Sequence, residues 1–219
     1  MVLLGFAGMA QEVFWPANYD FRQEQDAWLR FNSDSLRHFA LRPTRAIIHE
    51  DTAYASYYNQ KYQRKPKAKF LGRKLFQEHF IRFEHKDTRI WIDPLVNFQG
   101  GMDLEDTASK TLSTNTRGIQ IQGFITSKVY FYASFYENQS FFPEYMNAQI
   151  RATRAVPGQG TPKGFGEGGY DYNMATGFVR FKPNKNLSLQ YGHDKLFIGE
   201  GYRSVLLSDN AFNYPFLQA

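Results

Sequence analysis

From about residue 79 onward, apolar and polar residues alternate along paired segments that are joined by short turns. In the clearest pair, 116–125 and 128–137, the second segment alternates two series of side chains: Val129, Phe131, Ala133 and Phe135 with Tyr130, Tyr132, Ser134 and Tyr136. Successive side chains of a strand point to opposite faces. The pattern therefore predicts an antiparallel sheet with one oily face and one polar face.

Two further pairs of segments show the same alternation. One pair joins 79–85 to 88–98 through Lys86-Asp87, and the other joins 174–182 to 186–193 through Pro183-Asn184-Lys185. The second turn contains the residue types that tight turns favour. The region therefore predicts three successive hairpins.

Pro94 and the connections between the hairpins refine this prediction. Pro94 cannot donate a ladder hydrogen bond, which predicts an edge position, a bulge or a break. Long polar connections, 99–115 and 138–173, separate the pairs. Short turns at one end and long loops at the other are typical of an outer-membrane β-barrel. Because the first connection is short, an earlier strand is expected within 45–58, or the first strands follow another path.

The composition suits a barrel whose strands are half polar. The 219 residues have a mean hydropathy of −0.52, which excludes a membrane-spanning helix after the N-terminus, and 17% of them are aromatic. A carbohydrate-binding β-protein would have a similar composition. The chain has no cysteine, so disulfides and thiolate metal sites are excluded.

The formal net charge of +5 is concentrated in the basic run 61–69. Such a run is typical of a solvated loop, or of a segment that meets anionic lipid headgroups or acidic polysaccharide. No nucleic-acid-binding motif accompanies the charge, so nucleic acid is not an expected partner.

The N-terminal third differs from the alternating region. Residues 1–10 form a short apolar run that ends in small residues, as expected for the remnant of an export signal. Residues 11–78 are predicted to form helices and loops, with short helices at 36–40 and 70–80. Residues 79–219 are then predicted to form the first part of an antiparallel outer-membrane β-barrel.

No catalytic chemistry is marked in this sequence. The glycine-rich segment 157–169 lacks the Gly-Lys-Ser/Thr ending of a phosphate loop and is predicted to be a mobile surface loop. The five histidines have no metal-ligand spacing. We therefore expect a protein that is not an enzyme, with no catalytic residue, no metal and no cofactor.

The most distinctive segment lies near the C-terminus: it reads Gly199-Glu200-Gly201-Tyr202-Arg203-Ser204-Val205-Leu206-Leu207-Ser208-Asp209-Asn210 and ends in Asn213-Tyr214-Pro215-Phe216. It resembles the gliding-motility RemB-type proteins of Bacteroidetes, which belong with Wzi-like capsule-assembly outer-membrane proteins, and the segment 70–76 is similar to their N-terminal region. The family-like residues are Gly199, Gly201, Tyr202, Arg203, Ser208, Asp209 and Asn210. The resemblance implies a large outer-membrane barrel that helps to hold surface polysaccharide, of which this chain is an N-terminal fragment.

The expected function is therefore a non-catalytic role in surface or capsular polysaccharide attachment or in gliding motility. Its expected partners are outer-membrane lipid, surface polysaccharide and other cell-surface or motility proteins. The alternatives are a passive porin-like channel, or a soluble β-sandwich glycan-binding protein or glycosidase. Candidate glycan contacts are Trp91, Tyr130, Tyr132, Arg82, Arg89 and Arg117; the first three residues offer stacking rings and the arginines offer charge. The same residues could instead line the lumen or form a lipid-interface belt.

Overall fold

The computed structural model describes residues 13–16, 28, 41–43, 45–48, 69–70, 74, 78–103, 111–184, 187–198, 206–207 and 211–219. In chain order these residues form the strands β1 (Val13–Pro16), β2 (Leu41–Pro43), β3 (Arg45–Ile48), β4 (Ile81–His85), β5 (Thr88–Met102), β6 (Thr111–Thr126) and β7 (Val129–Phe141), the helix α1 (Glu144–Thr153), and the strands β8 (Lys163–Phe165), β9 (Gly169–Asn184), β10 (Leu187–Asp194), β11 (Leu196–Ile198) and β12 (Tyr214–Gln218). The chain divides into two compact units, Met1–Lys65 with Leu196–Asp209, and Pro66–Lys195 with Asn210–Ala219.

In its described residues the smaller unit contains four short strands. β1 pairs antiparallel with β3, and β2 pairs antiparallel with β11. The prediction of helices and loops for 11–78 is wrong for β1, β2 and β3. The Val-Phe-Trp run of β1 and the Ala-Ile-Ile run of β3 favour extended backbone. The strand expected within 45–58 exists as β3, but it does not join the large sheet. The helix predicted at 36–40 and the export signal lie outside the described residues, and of 70–80 only Phe70 and Lys74 are helical in the described part.

The larger unit contains an eight-stranded antiparallel sheet in the order β12-β10-β9-β7-β6-β5-β4, with β8 paired to β9. The prediction of a mainly β, antiparallel fold is confirmed. The sheet is not closed, because β4 and β12 stand at its two ends. β11 lies between β10 and β12 in the chain but belongs to the smaller unit, so the large sheet does not take up all of 79–219.

All three predicted hairpins are present; β5, β6, β7 and β9 are longer than predicted, whereas β4 is shorter and β10 has the predicted length. β5, β6 and β9 run for 15, 16 and 16 residues, and the turns fall after β4, β6 and β9 as expected. Polar segments that the sequence assigned to loops, such as 111–115 and 169–173, are paired strand instead. Backbone pairing with a neighbouring strand stabilises them despite side chains that favour loops.

Pro94 confirms the prediction of an edge position. It continues β5 opposite Ile119 of β6, whereas the pairing of β4 with β5 stops at Ile81 and Ile92. Beyond that point the β4 side of β5 is a free edge among the described residues, so the missing N–H of Pro94 breaks no ladder bond.

The connection 142–168 carries its own structure. Helix α1 begins after Pro143, whose carbonyl accepts the backbone N–H groups of Met146 and Asn147, each at 3.0 Å. It ends at Arg154, which adopts a left-handed conformation with φ of 55°. The segment predicted to be a mobile glycine-rich loop contains β8 and a turn in which Gly166 and Gly168 have positive φ. Glycine reaches these backbone angles without steric cost.

Candidate functional site

Side-chain burial along β7 divides the large sheet into two faces. Tyr130, Tyr132 and Ser134 are buried, whereas their neighbours Ala133 and Phe135 are exposed. We call the face that carries Tyr130 and Ser134 the inner face, and the face that carries Phe131 and Phe135 the outer face. The sequence predicted two such faces, but it did not predict which one would be buried.

The outer face is an exposed apolar surface. Cross-strand register aligns its side chains from β4 to β12. Its side chains are largely accessible to solvent: Val179 is 49% exposed and Leu217 is 76% exposed. The apolar band consists of Ile81, Phe83, Ile90, Ile92, Val96, Phe98, Ile119, Ile121, Ile125, Val129, Phe131, Ala133, Phe135, Ala175, Val179, Phe181, Leu187, Leu189, Tyr191 and Leu217.

On the three central strands the apolar band stops at a common level. Two residues beyond Ile119 and Phe135, the outer face carries a row of polar residues, in which Arg117 lies opposite Glu137, and Glu137 opposite Asn173. This row lies on the side of the long connections, away from the short turns. On β6, β7 and β9 the outer surface is therefore apolar near the short turns and polar toward the long loops, whereas β5 keeps the apolar residues Val96 and Phe98 at and beyond the level of the polar row.

The inner face is largely polar where it approaches the long connections. Thr116 Oγ1 donates to Asn138 Oδ1 at 2.7 Å, and Ser140 Oγ donates to Thr114 Oγ1 at 3.1 Å. The hydroxyls of Ser140 and Tyr172 also share a hydrogen bond of 3.1 Å. Ser140 is completely buried, so this network satisfies groups that would be costly to bury alone.

Toward the short turns, the inner face carries a continuous row of rings across four strands. Neighbouring centroids lie 5.0–6.2 Å apart, which is within the range of favourable aromatic contacts. The Tyr130 hydroxyl donates to Gln122 Oε1 at 3.1 Å. In order of contact, the row consists of His79, Trp91, Phe124, Tyr130, Phe178 and Tyr132.

The structure places five of the six predicted glycan contacts on the inner face and the sixth, Arg117, on the outer face. Trp91, Tyr130 and Tyr132 belong to the aromatic row and are buried, at 7%, 2% and 2% exposure, so their rings pack on other rings and offer no open stacking surface. Arg82 lies opposite Trp91 and binds Glu84 at 2.6 Å, and Arg89 lies at the same end of the inner face.

Arg117 lies apart from the other five, on the outer face. The family-like residues between Gly199 and Asn210 lie outside the described part of the chain.

A basic cluster on the inner face was missed by the sequence reasoning. Lys182 donates its backbone N–H to the carbonyl of Lys128 at 2.8 Å, and Arg180 lies two residues before Lys182 on the same face of β9. The Arg180 guanidinium donates from Nε and Nη2 to Gln190 Oε1, at 2.9 and 2.6 Å. The i, i+2 spacing of Arg180 and Lys182 was a signal available in the sequence. The approach of Lys128 depends on the pairing of β7 with β9.

A histidine–carboxylate pair stands at the β4 end of the sheet. His79 Nδ1 lies 2.7 Å from Asp93 Oδ2, and Asp93 Oδ1 accepts the backbone N–H of Phe80 at 2.8 Å. These bonds fix the segment before β4 against β5. Across the described ranges no three His, Asp or Glu side chains converge on a common point.

Within the described residues, no helix is both long enough and apolar enough to cross a lipid bilayer.

Comparison of this chain with models of known protein families, with curated proteins and with solved structures returned no match.

Proposed function

We propose that this chain forms strands of an outer-membrane β-barrel that helps to attach surface polysaccharide, without catalysis. The observation that supports the proposal is the polarity of the large sheet: its outer face exposes a band of apolar side chains, while its inner face buries hydroxyl and amide groups beside the aromatic row. A sheet of a water-exposed domain normally has the opposite arrangement. Apolar-out, polar-in alternation is the pattern of a strand with lipid on one side and a lumen on the other.

The strand geometry agrees with this proposal. Strands of 15 and 16 residues exceed the 9–11 residues or so that a tilted strand needs to cross a bilayer. The polar row at Arg117, Glu137 and Asn173 then marks the level at which β6, β7 and β9 leave the hydrocarbon on the long-loop side. The short turns lie at the opposite end, as they do on the periplasmic side of barrels.

The link to polysaccharide rests on two observations. The inner face presents cations near the short turns, which suit acidic sugars, and the C-terminal segment resembles capsule-assembly and gliding proteins. In a host that makes a capsule, deletion of the gene is expected to release polysaccharide from the cell surface into the medium while total synthesis is unchanged. Unchanged retention of polysaccharide would contradict this part of the proposal.

Membrane insertion is tested by placing an arginine on the outer face. Val179→Arg puts a charge within the apolar band and is expected to lower the free energy of unfolding from lipid vesicles by about 2–4 kcal/mol. Asn173→Arg, also exposed and on the same strand but in the polar row, should cost only about 0–1 kcal/mol. The measurement is urea unfolding of the chain folded into phosphatidylcholine vesicles.

The same variants distinguish a water-exposed sheet. If the outer face met water, Val179→Arg would be an ordinary surface substitution, with an effect of about 0.5 kcal/mol or less. Equal, small effects of the two variants would therefore contradict insertion of the outer face into lipid.

A further inference from the structure

The basic cluster at the short-turn end of the inner face consists of Lys128, Arg180 and Lys182. The backbone bond between Lys182 of β9 and Lys128, which lies in the turn just before β7, places these two residues next to each other. Paired residues of neighbouring strands have Cα atoms about 4.5–5.5 Å apart, and like charges in such a pair destabilise a sheet.

Among the described residues, no carboxylate compensates the charge of the cluster. None of the three cations forms an ion pair in the described part of the chain. The only side chain bound to the Arg180 guanidinium there is the neutral amide of Gln190. Asp87 lies in the turn before β5, which is three strands away from β9, or about 14 Å at roughly 4.8 Å per strand, and Glu84 lies one strand farther away, on β4.

We infer that the basic cluster binds the carboxylate groups of an acidic polysaccharide at the short-turn mouth of the inner face. This inference rests on the proposed function, because it takes the inner face as the lining of a lumen. Arg180 and Lys182 lie on the face opposite the apolar band, so a ligand in the lumen reaches them and a lipid against the outer face does not. Arg89 of β5 lies in the same cross-strand row as Arg180, with Phe124 and Tyr130 between them. It adds a further positive charge at this level of the inner face.

The probe is oligogalacturonate, a carboxylate oligosaccharide, titrated calorimetrically into the detergent-solubilised full chain, with a neutral maltodextrin as reference. The double variant Lys128→Gln with Lys182→Gln is expected to bind oligogalacturonate about fivefold more weakly. This is the loss expected when two solvent-accessible charge contacts with the ligand are removed. Binding by the unaltered chain should also weaken at high salt, because the Debye length falls to about 3 Å at 1 M. Arg180 is left unchanged because it is part of the hydrogen-bonded inner face.

The matched control removes two charges elsewhere. Arg151→Gln with Lys163→Gln neutralises exposed residues of the connection 142–168 and should bind oligogalacturonate within twofold of the unaltered chain, or roughly the scatter of a surface substitution. Equal binding by both double variants, or no preference of the unaltered chain for oligogalacturonate over maltodextrin, overturns the inference.

A second arm uses vesicles of phosphatidylglycerol and of phosphatidylcholine. If the cluster variant lost affinity for phosphatidylglycerol vesicles but kept its affinity for oligogalacturonate, the cluster would be a headgroup site and the inference would be wrong. If the proposed function is wrong, a different result is expected: Val179→Arg and Asn173→Arg change the free energy of unfolding from vesicles by equal, small amounts. The two ideas therefore fail separately.

Discussion

At Gly118, on the inner face of β6, the neighbouring strand leaves no room for a side chain. A Cβ atom there would meet the backbone oxygen of Phe135, and it would lie 2.5 Å from Cβ of Tyr136. Gly118→Ala should therefore force a backbone shift and destabilise the sheet by about 1–3 kcal/mol. Urea unfolding of the chain in detergent measures the change.

Gly100 provides the matched control for this substitution. It lies in β5, and a Cβ atom there would have nothing within 4 Å. Gly100→Ala should be neutral or stabilising by less than about 1 kcal/mol, since alanine restricts the unfolded chain more than glycine does. Equal destabilisation at both positions would mean that the close approach of β6 and β7 at Gly118 is not present in solution.

Individual residues differed in how far the sequence revealed their environment. The missing donor of Pro94 restricted it to an edge, a bulge or a break whatever surrounds it, and the structure shows that it lies at an edge. Trp91, Tyr130 and Tyr132 were correctly placed on strands, but their burial against other rings depends on the alignment of several strands. Lys128 and Lys182 lie 54 positions apart in the chain, and only sheet pairing makes them neighbours.

At the scale of elements, helix α1 depends on one buried side chain. Ile150 is 2% exposed and packs with Val156 and Tyr172, and Phe142 and Met146 lie against this group. Ile150→Ala should remove about 2–5 kcal/mol from the packing of the connection 142–168. Limited proteolysis should then cleave within 144–168 faster while the strands stay protected.

Tyr145 is the control on the same helix. It is 71% exposed, so Tyr145→Ala should leave the cleavage rate close to that of the unaltered chain. If the two variants were cleaved equally, the packing of α1 against Tyr172 would not be what holds the connection.

The sequence predicted the hairpins much better than this connection. Alternation repeats along every strand of a hairpin and can be read locally. Helix α1 buries one residue, so its sequence has no strong apolar stripe, and it is stabilised by the Pro143 and Asn147 bonds and by packing on β9. The extension of β6 into 111–115 likewise depends on a partner strand, because its polar residues favour loops.

At the scale of the whole molecule, the apolar outer face predicts dependence on an amphiphile. Diluted from urea into buffer, the full chain should aggregate, because the band exposes apolar side chains on β4, β5, β6, β7, β9, β10 and β12. Diluted into dodecyl maltoside, it should give a discrete species. Size-exclusion chromatography with light scattering measures the outcome. A stable monomer in buffer without detergent would favour a water-exposed β-sandwich and count against the barrel.

By itself, the sequence determined that most of 79–219 forms an antiparallel sheet whose two faces differ in polarity, and where its short turns fall. Those features depend on the period of side-chain direction and on turn residues, which act locally. The tertiary structure alone decided which face is buried, how β7 pairs with β9 across the connection 142–168, and which cations become neighbours. The strand pairing and the neighbouring cations depend on contacts between residues far apart in the chain. The buried face could not be predicted because the alternation of apolar and polar residues is the same whether the apolar face meets a protein core or a lipid.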